Sequence, residues 1–125
     1  MIGDVSMFEH ISWVFEVTLN TKELSGLKEL MNEMVDATEE NEPGTLAYEW
    51  TVSEDGEICH IYECYESNEA TLAHLATFKE KYAARLLAFG DATDFVVYGS
   101  PNAAVIEALD GFGAQYMAPI GGFRR

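Results

Sequence analysis

PGTLAYEWTVSEDGEICHIYECYESNEATLAHLATF, residues 43–78, reads as a β-hairpin followed at once by a helix. Two runs of apolar and β-branched residues flank Ser53-Glu54-Asp55-Gly56. Asp-Gly between such runs signals a hairpin, because Gly accepts the positive φ that the turn needs. The strands are expected over 45–53 and 57–66. Glu63 and Tyr65 stand two residues apart in the second strand, so both point to one face. Ser67 then occupies an N-cap position. Glu69 falls in the first turn, where the helix dipole favours an acid, and a helical region is predicted over 68–89. Its apolar stripe is Leu75, Phe78, Tyr82, Leu86 and Phe89, with Gly90 as the C′ residue. Lys79-Glu80-Lys81 interrupts that stripe, which predicts a break near Phe78. His74 is four residues from both Ala70 and Phe78 and shares their side. An acid, a phenol and an imidazole are thereby directed towards one space.

Upstream, residues 11–19 (ISWVFEVTL) form a first strand, with Trp13, Phe15, Val17 and Leu19 on one face. Asn20 and Glu23 stand at the positions of a reciprocal capping box. A helix is predicted over 21–40, with an apolar stripe of Leu24, Leu27, Met31, Met34 and Val35. The acids Glu39, Glu40 and Glu42 close it, and Pro43-Gly44 forces a turn. Downstream, residues 92–99 make a fourth strand. The order βαββαβ is the α+β, ferredoxin-like arrangement, a four-stranded antiparallel sheet with both helices on one face.

With 125 residues the chain is one domain, and its 48% apolar content is that of a globular protein. Residues 1–10 are expected to be a lead-in, 11–100 the domain, and 101–125 a C-terminal extension. No apolar run approaches the ~20 residues that span a bilayer. MIGDVSMFEH has neither a basic nor an apolar region of a secretory signal. Cys59 and Cys64 have opposite parity on one strand and cannot bridge within it, so free thiols and a cytoplasmic location are expected. Their spacing, with no second pair, is a poor metal motif, and no metal is expected. The net charge of -15, from 22 acids against 7 bases, opposes binding to nucleic acid or to an anionic membrane.

The strands are apolar at both parities, so the sheet face opposite the helices needs a cover as well. A second copy supplies it by sheet-on-sheet packing, and a homodimer is expected. His60, Tyr62 and Cys64 share that outer face. In the extension, residues 101–109 read as a short helix and 113–120 as a fifth strand that adds to an edge of its own sheet or its partner's.

Pro43-Gly44-Thr45-Leu46 with Tyr48-Glu49, then Glu63-x-Tyr65, then Glu69-Ala70 and His74, resemble the antibiotic biosynthesis monooxygenase domain over about residues 11–99. The resemblance implies a dimeric α+β-barrel of ferredoxin-like subunits, with a pocket between sheet and helices in each. Members of known activity oxygenate anthrone-type polyphenols or quinols with molecular oxygen, and use no metal, flavin or haem. A related branch binds and degrades haem. That branch has a Trp where this chain has Tyr65 and an Asn on the first strand that ISWVFEVTL does not offer. His74 stands where it places its iron ligand.

A cofactorless oxygenase must turn a phenol or anthrone into an electron-rich anion, which then reduces oxygen. It needs a base, donors that hold the anion, and a dry pocket. His74 suits the base, since an ordinary imidazole titrates near neutrality. Glu63 is expected to orient the imidazole or to stand as a buried acid. Tyr65, Phe78, Tyr82, Arg85 and Met31 are the expected substrate-binding residues, Arg85 because it falls on nearly the same helical side as His74 three turns later. Tyr48 and Trp50 are expected on the wall opposite Tyr65. Plainer roles stand beside these: Glu63 as a hydrogen-bond partner of a tyrosine, and His74 as a ligand contact without catalysis. Two other functions remain open, a haem monooxygenase and a non-catalytic dimer that binds a small ligand.

Overall fold

The structure, a computed structural model, describes residues 9–125. The lead-in expected over 1–10 lies almost wholly outside the described residues. The elements are β1 (Ile11–Leu19), α1 (Ser25–Asn41), β2 (Thr45–Val52), β3 (Ile58–Tyr65) and α2 (Asn68–Thr77). A π-helical turn (Phe78–Tyr82), α3 (Ala83–Leu87), β4 (Gly90–Tyr98), α4 (Ala103–Ala108) and β5 (Gln115–Met117) follow. The sheet order is β2-β3-β1-β4-β5. The first three pairings are antiparallel and β4–β5 is parallel. The α+β, ferredoxin-like frame expected from the sequence is therefore present, extended at one edge into a mixed sheet.

β1 lies at the centre because it is apolar at the parity that faces the helices. Trp13, Phe15 and Val17 are buried there with Leu27, Leu30 and Met34 of α1 and with Leu75 and Leu86 beyond β3. The hairpin turns as its Asp-Gly predicts: Gly56 has φ 75° and its N–H bonds the Ser53 carbonyl at 2.9 Å.

Three local expectations are corrected. Helix α1 starts at Ser25 behind Leu24, which makes no side-chain cap bond. Asn20 Nδ2 donates instead to the Ala88 carbonyl at 3.0 Å, and Glu23 Oε1 accepts from the Ser25 N–H at 2.7 Å. The capping box fails because its first member is tied to another loop. The buried stripe of α1 is Leu27, Leu30, Met34 and Thr38, so Met31 turns to the half-buried flank. Gly90 opens β4 rather than closing a helix. A Cβ there would stand 2.2 Å from the Thr18 carbonyl oxygen, so close approach to β1 is what demands glycine. The break near Phe78 takes the form of the π turn.

The outer sheet face is mixed. Val14, Tyr62 and Val96 are half-buried and Tyr98 is exposed. His60 is exposed and bonds Glu16 Oε1 at 2.9 Å, while Glu16 Oε2 accepts from the Thr93 hydroxyl at 2.7 Å. Cys64 is buried under the chain's own tail, whose Arg124 guanidinium donates to its Sγ at 3.1 Å.

Candidate functional site

Strand β3, the Ser67 cap and the Gly44 turn bring four polar side chains together. β3 places Glu63 and Tyr65 on the helix-facing side, where Tyr65 is fully buried and its hydroxyl donates to Glu63 Oε1. Ser67 caps α2 by accepting from the Ala70 N–H at 3.1 Å, which fixes the phase of the helix and so the direction of His74. Gly44 allows the turn after α1 to lie against α2. A Cβ on it would stand 2.6 Å from the Ala70 side chain, one helical turn before His74. That close approach carries Glu42 to the imidazole.

His74 lies between two carboxylates. Nδ1 is 2.8 Å from Glu42 Oε1 and Nε2 is 3.1 Å from Glu63 Oε1. The side chains of His74, Glu42 and Glu63 are only 6%, 11% and 8% exposed. Glu42 Oε1 also accepts from the Thr45 hydroxyl at 3.1 Å. Burial by itself lowers the imidazole pKa. The hydrogen bonds to Glu42 and Glu63, and then their charges, outweigh it and push the pKa up to about 9. At neutral pH the ring is therefore an imidazolium that donates from both nitrogens. Burial, and then the charge of Glu63, drive the phenols of Tyr48 and Tyr65 far above their ordinary value, so both remain protonated.

A cavity of about 30 Å³ adjoins this cluster. The sheet lines it with Trp13, Phe15, Ile61 and Phe95, and the helices with Leu75, Phe78 and Leu86. Tyr48, Glu63 and His74 form its polar side, and Leu109 and Phe112 of the extension also line it. Both bonds to Glu63 fall on Oε1, and Oε2 accepts no bond among the described residues. The arrangement leaves one oxygen of the Glu63 carboxyl group, beside an apolar cavity, for an incoming hydroxyl.

Of the residues expected at a site, Glu63, His74 and Phe78 line the cavity, and Tyr65 stands directly behind Glu63 with its ring 5.3 Å from the His74 ring. Three do not meet the cavity. Arg85 is half exposed and forms a two-pronged pair with Glu33, at 2.6 and 2.9 Å. The π turn rotates it away: one extra residue in a turn moves everything beyond it by about 100° around the axis. Tyr82 is buried beneath Arg85, whose guanidinium lies 5.7 Å from its ring centre. Met31 sits on the flank of α1. Tyr48 is a correction in the other direction. It pairs across the strands with Glu63, its ring is 5.3 Å from the His74 ring, and it shares the wall with Tyr65.

Glu42 escaped the sequence reading. It is one of three acids at the end of α1, and nothing in local pattern separates it from Glu39 and Glu40. The usable signal was the Pro43-Gly44 turn directly after it. Among the described residues no group of three or more His, Cys, Asp or Glu side chains is arranged to hold a metal ion.

The fold is shared with solved structures. MupZ from Pseudomonas fluorescens superposes with a TM-score of 0.76 at 19% identity, over 94% of this chain and 95% of that one. Rv0793 from Mycobacterium tuberculosis gives a TM-score of 0.62 at 21% identity, over 76% and 98%. SnoaB from Streptomyces nogalater, a cofactor-independent oxygenase, gives 0.62 at 11% identity, over 76% and 96%. No curated protein matches the sequence. The family model described as antibiotic biosynthesis monooxygenase matches residues 11–85, well over half of the chain, and the chain therefore belongs to the antibiotic biosynthesis monooxygenase family.

Proposed function

We propose that the protein is a cofactor-independent monooxygenase that acts on a small quinol or polyphenol bound beside Glu63. The observation that carries this reading is the buried Glu63 carboxylate, held by an imidazolium and facing an apolar cavity. SnoaB, a cofactor-independent oxygenase of the same fold, adds support. An imidazolium with both N–H groups engaged is not a free base, so Glu63 takes the substrate proton and His74 holds the Glu63 carboxyl group in place.

The chemistry follows from that assignment. Glu63 Oε2 accepts the proton of a phenolic hydroxyl, leaving an electron-rich anion in a site without bulk water. The anion gives an electron to molecular oxygen, and the two radicals combine at a ring carbon that bears hydrogen, ortho or para to the hydroxyl. The hydroperoxide loses water as that carbon becomes a carbonyl. One oxygen atom enters the substrate, the other leaves as water, and the substrate supplies all the electrons. The imidazolium supports the developing charge, and the Tyr65 hydroxyl holds Glu63 Oε1 in place.

The haem reading finds no support in these residues. An iron ligand needs a free imidazole nitrogen, and both nitrogens of His74 are engaged by carboxylates. A homodimer by sheet-on-sheet packing belongs to the proposal, with Tyr62, Val96 and Tyr98 at its centre. A cytoplasmic location does too, supported by the free thiols of Cys59 and Cys64. No described helix is long and apolar enough to cross a membrane. The test is isotopic: metal-free protein, 1-naphthol or a naphthohydroquinone, and ¹⁸O₂. One labelled atom per product molecule supports the reading. Unlabelled quinone, or no product across a panel of phenols, overturns it.

A further inference from the structure

The cavity beside Glu63, at about 30 Å³, is too small for any aromatic substrate. A water needs roughly 10–15 Å³ on this measure, so about two waters fit. Sites for small organic ligands run to roughly 300 Å³ and more. The shortfall has an identifiable source. Phe112 comes from the extension, beyond the residues 11–85 that match the family, and it occupies part of the cavity wall between Phe78 and Phe95.

Phe112 is held lightly. Its ring centroid is 6.3 Å from that of Phe78 and 6.5 Å from that of Phe95. Both lie at the long end of the range for aromatic pairs. The residue is only half-buried. It stands between Gly111 at φ 89° and Gly113 at φ 73°, and neither glycine has an atom within 4 Å of where a Cβ would be. Backbone conformation, not crowding, calls for glycine at both places, and paired glycines of this kind absorb large backbone rotations at low cost. The turn is secured by a 3.2 Å bond from the Phe112 N–H to the Leu109 carbonyl. Leu109 itself is buried and anchors the base of the turn. Lys79 donates to the Ala108 carbonyl and holds its ammonium 5.7 Å from the Phe112 ring centre.

We infer that Phe112 is the specificity-determining gate of the Glu63 cavity: its ring keeps the place of a substrate ring and swings out on Gly111 and Gly113 when a phenol enters. The inference rests on reading this cavity as the substrate site. The incoming ring takes over the partners that Phe112 releases, Phe78 and Phe95 at its faces and edges and the Lys79 ammonium above it. A cation over the ring favours an electron-rich aromatic, and most of all the phenolate that Glu63 creates. Leu109 stays in the core when the gate opens, so the space gained is about that of one side chain. An apolar cavity of about 150 Å³ takes one benzene ring. The substrate class is therefore a phenol or hydroquinone of one or two fused rings, not an extended polycycle.

The test reads binding and not turnover. 2-Naphthol is mixed with protein under nitrogen in a stopped-flow fluorimeter. For the natural protein the observed rate should level off with rising naphthol, because gate opening limits entry. In Phe112→Ala it should rise linearly and exceed the natural rate at least tenfold. Phe112→Trp, which refills the space with a larger ring, should weaken binding at least tenfold and keeps the test decisive if the alanine variant fails to fold. Rates and affinities within twofold across the three proteins would overturn the inference, as would failure of folded Phe112→Ala to bind naphthol. Oxygen plays no part in this measurement, so the gate and the oxygenase reading can fail separately.

Discussion

His74 is the residue on which the site's electrostatics turn. Its two carboxylate partners would repel each other across a neutral ring, and the imidazolium reconciles them. Its pKa rises from an ordinary 6.5 to about 9 on folding. A group with a raised folded pKa stabilises the fold fully below its unfolded value and loses that contribution as pH climbs through the folded value. Stability should therefore be highest below about pH 6.5 as far as this group is concerned, and decline between there and pH 9. The shift corresponds to a contribution on the order of 3 kcal/mol. Urea midpoints measured from pH 6 to pH 10 check this; a flat profile would contradict it. Glu42→Gln removes one of the two charges. The His74 pKa, followed by NMR of the ring protons, should then fall by about one unit or more. A value still near 9 would show that Glu42 does not hold the proton in place.

At the scale of elements, the decisive contact is Gly44 against Ala70, because it joins the end of α1 to the start of α2. In Gly44→Ala the new methyl meets the Ala70 side chain at 2.6 Å, so one segment must move. A cost of about 1–3 kcal/mol is expected, with a lowered melting temperature. The His74 pKa should fall as well, since Glu42 is displaced. An unchanged melting temperature would mean that the loop and helix are not pressed together. The same elements show what could be read without coordinates. Glu63 and Tyr65 share a face because a strand repeats every two residues, and His74 joins them because Ser67 sets the helix phase. Those inferences need only local geometry. Arg85 was placed wrongly because phase was counted at 3.6 residues per turn through a segment that turns once with an extra residue. Glu42 could not be placed at all, since a chain reversal decides its neighbour. Met31 and Leu30 differ by one position on α1, and only packing against the sheet decides which is buried.

For the whole molecule, the frame of four antiparallel strands and two covering helical regions was legible from alternation and helical stripes. The extension was less so. Its helix and fifth strand were expected, but nothing in periodicity says that Phe112 enters the cavity or that Arg124 reaches Cys64. Such contacts join residues far apart in sequence and depend on the path of irregular chain. Half-buried Val14, Tyr62 and Val96 and exposed Tyr98 leave the outer sheet face suited to a second copy. Light scattering at micromolar concentration should give twice the 13.9 kDa chain mass, and Tyr98→Lys should reduce it. A monomer mass for the natural protein would remove the dimer from the account.

The central claim is that Glu63, held by His74, takes the substrate proton in a reaction that needs no cofactor. Oxygen consumption by metal-free protein with 1-naphthol or a naphthohydroquinone tests it most directly, with Glu63→Gln alongside. The account predicts one O₂ consumed per substrate by the natural protein and a loss of about a hundredfold or more in the variant. Equal rates in the two proteins, or no uptake above the uncatalysed background, would contradict it.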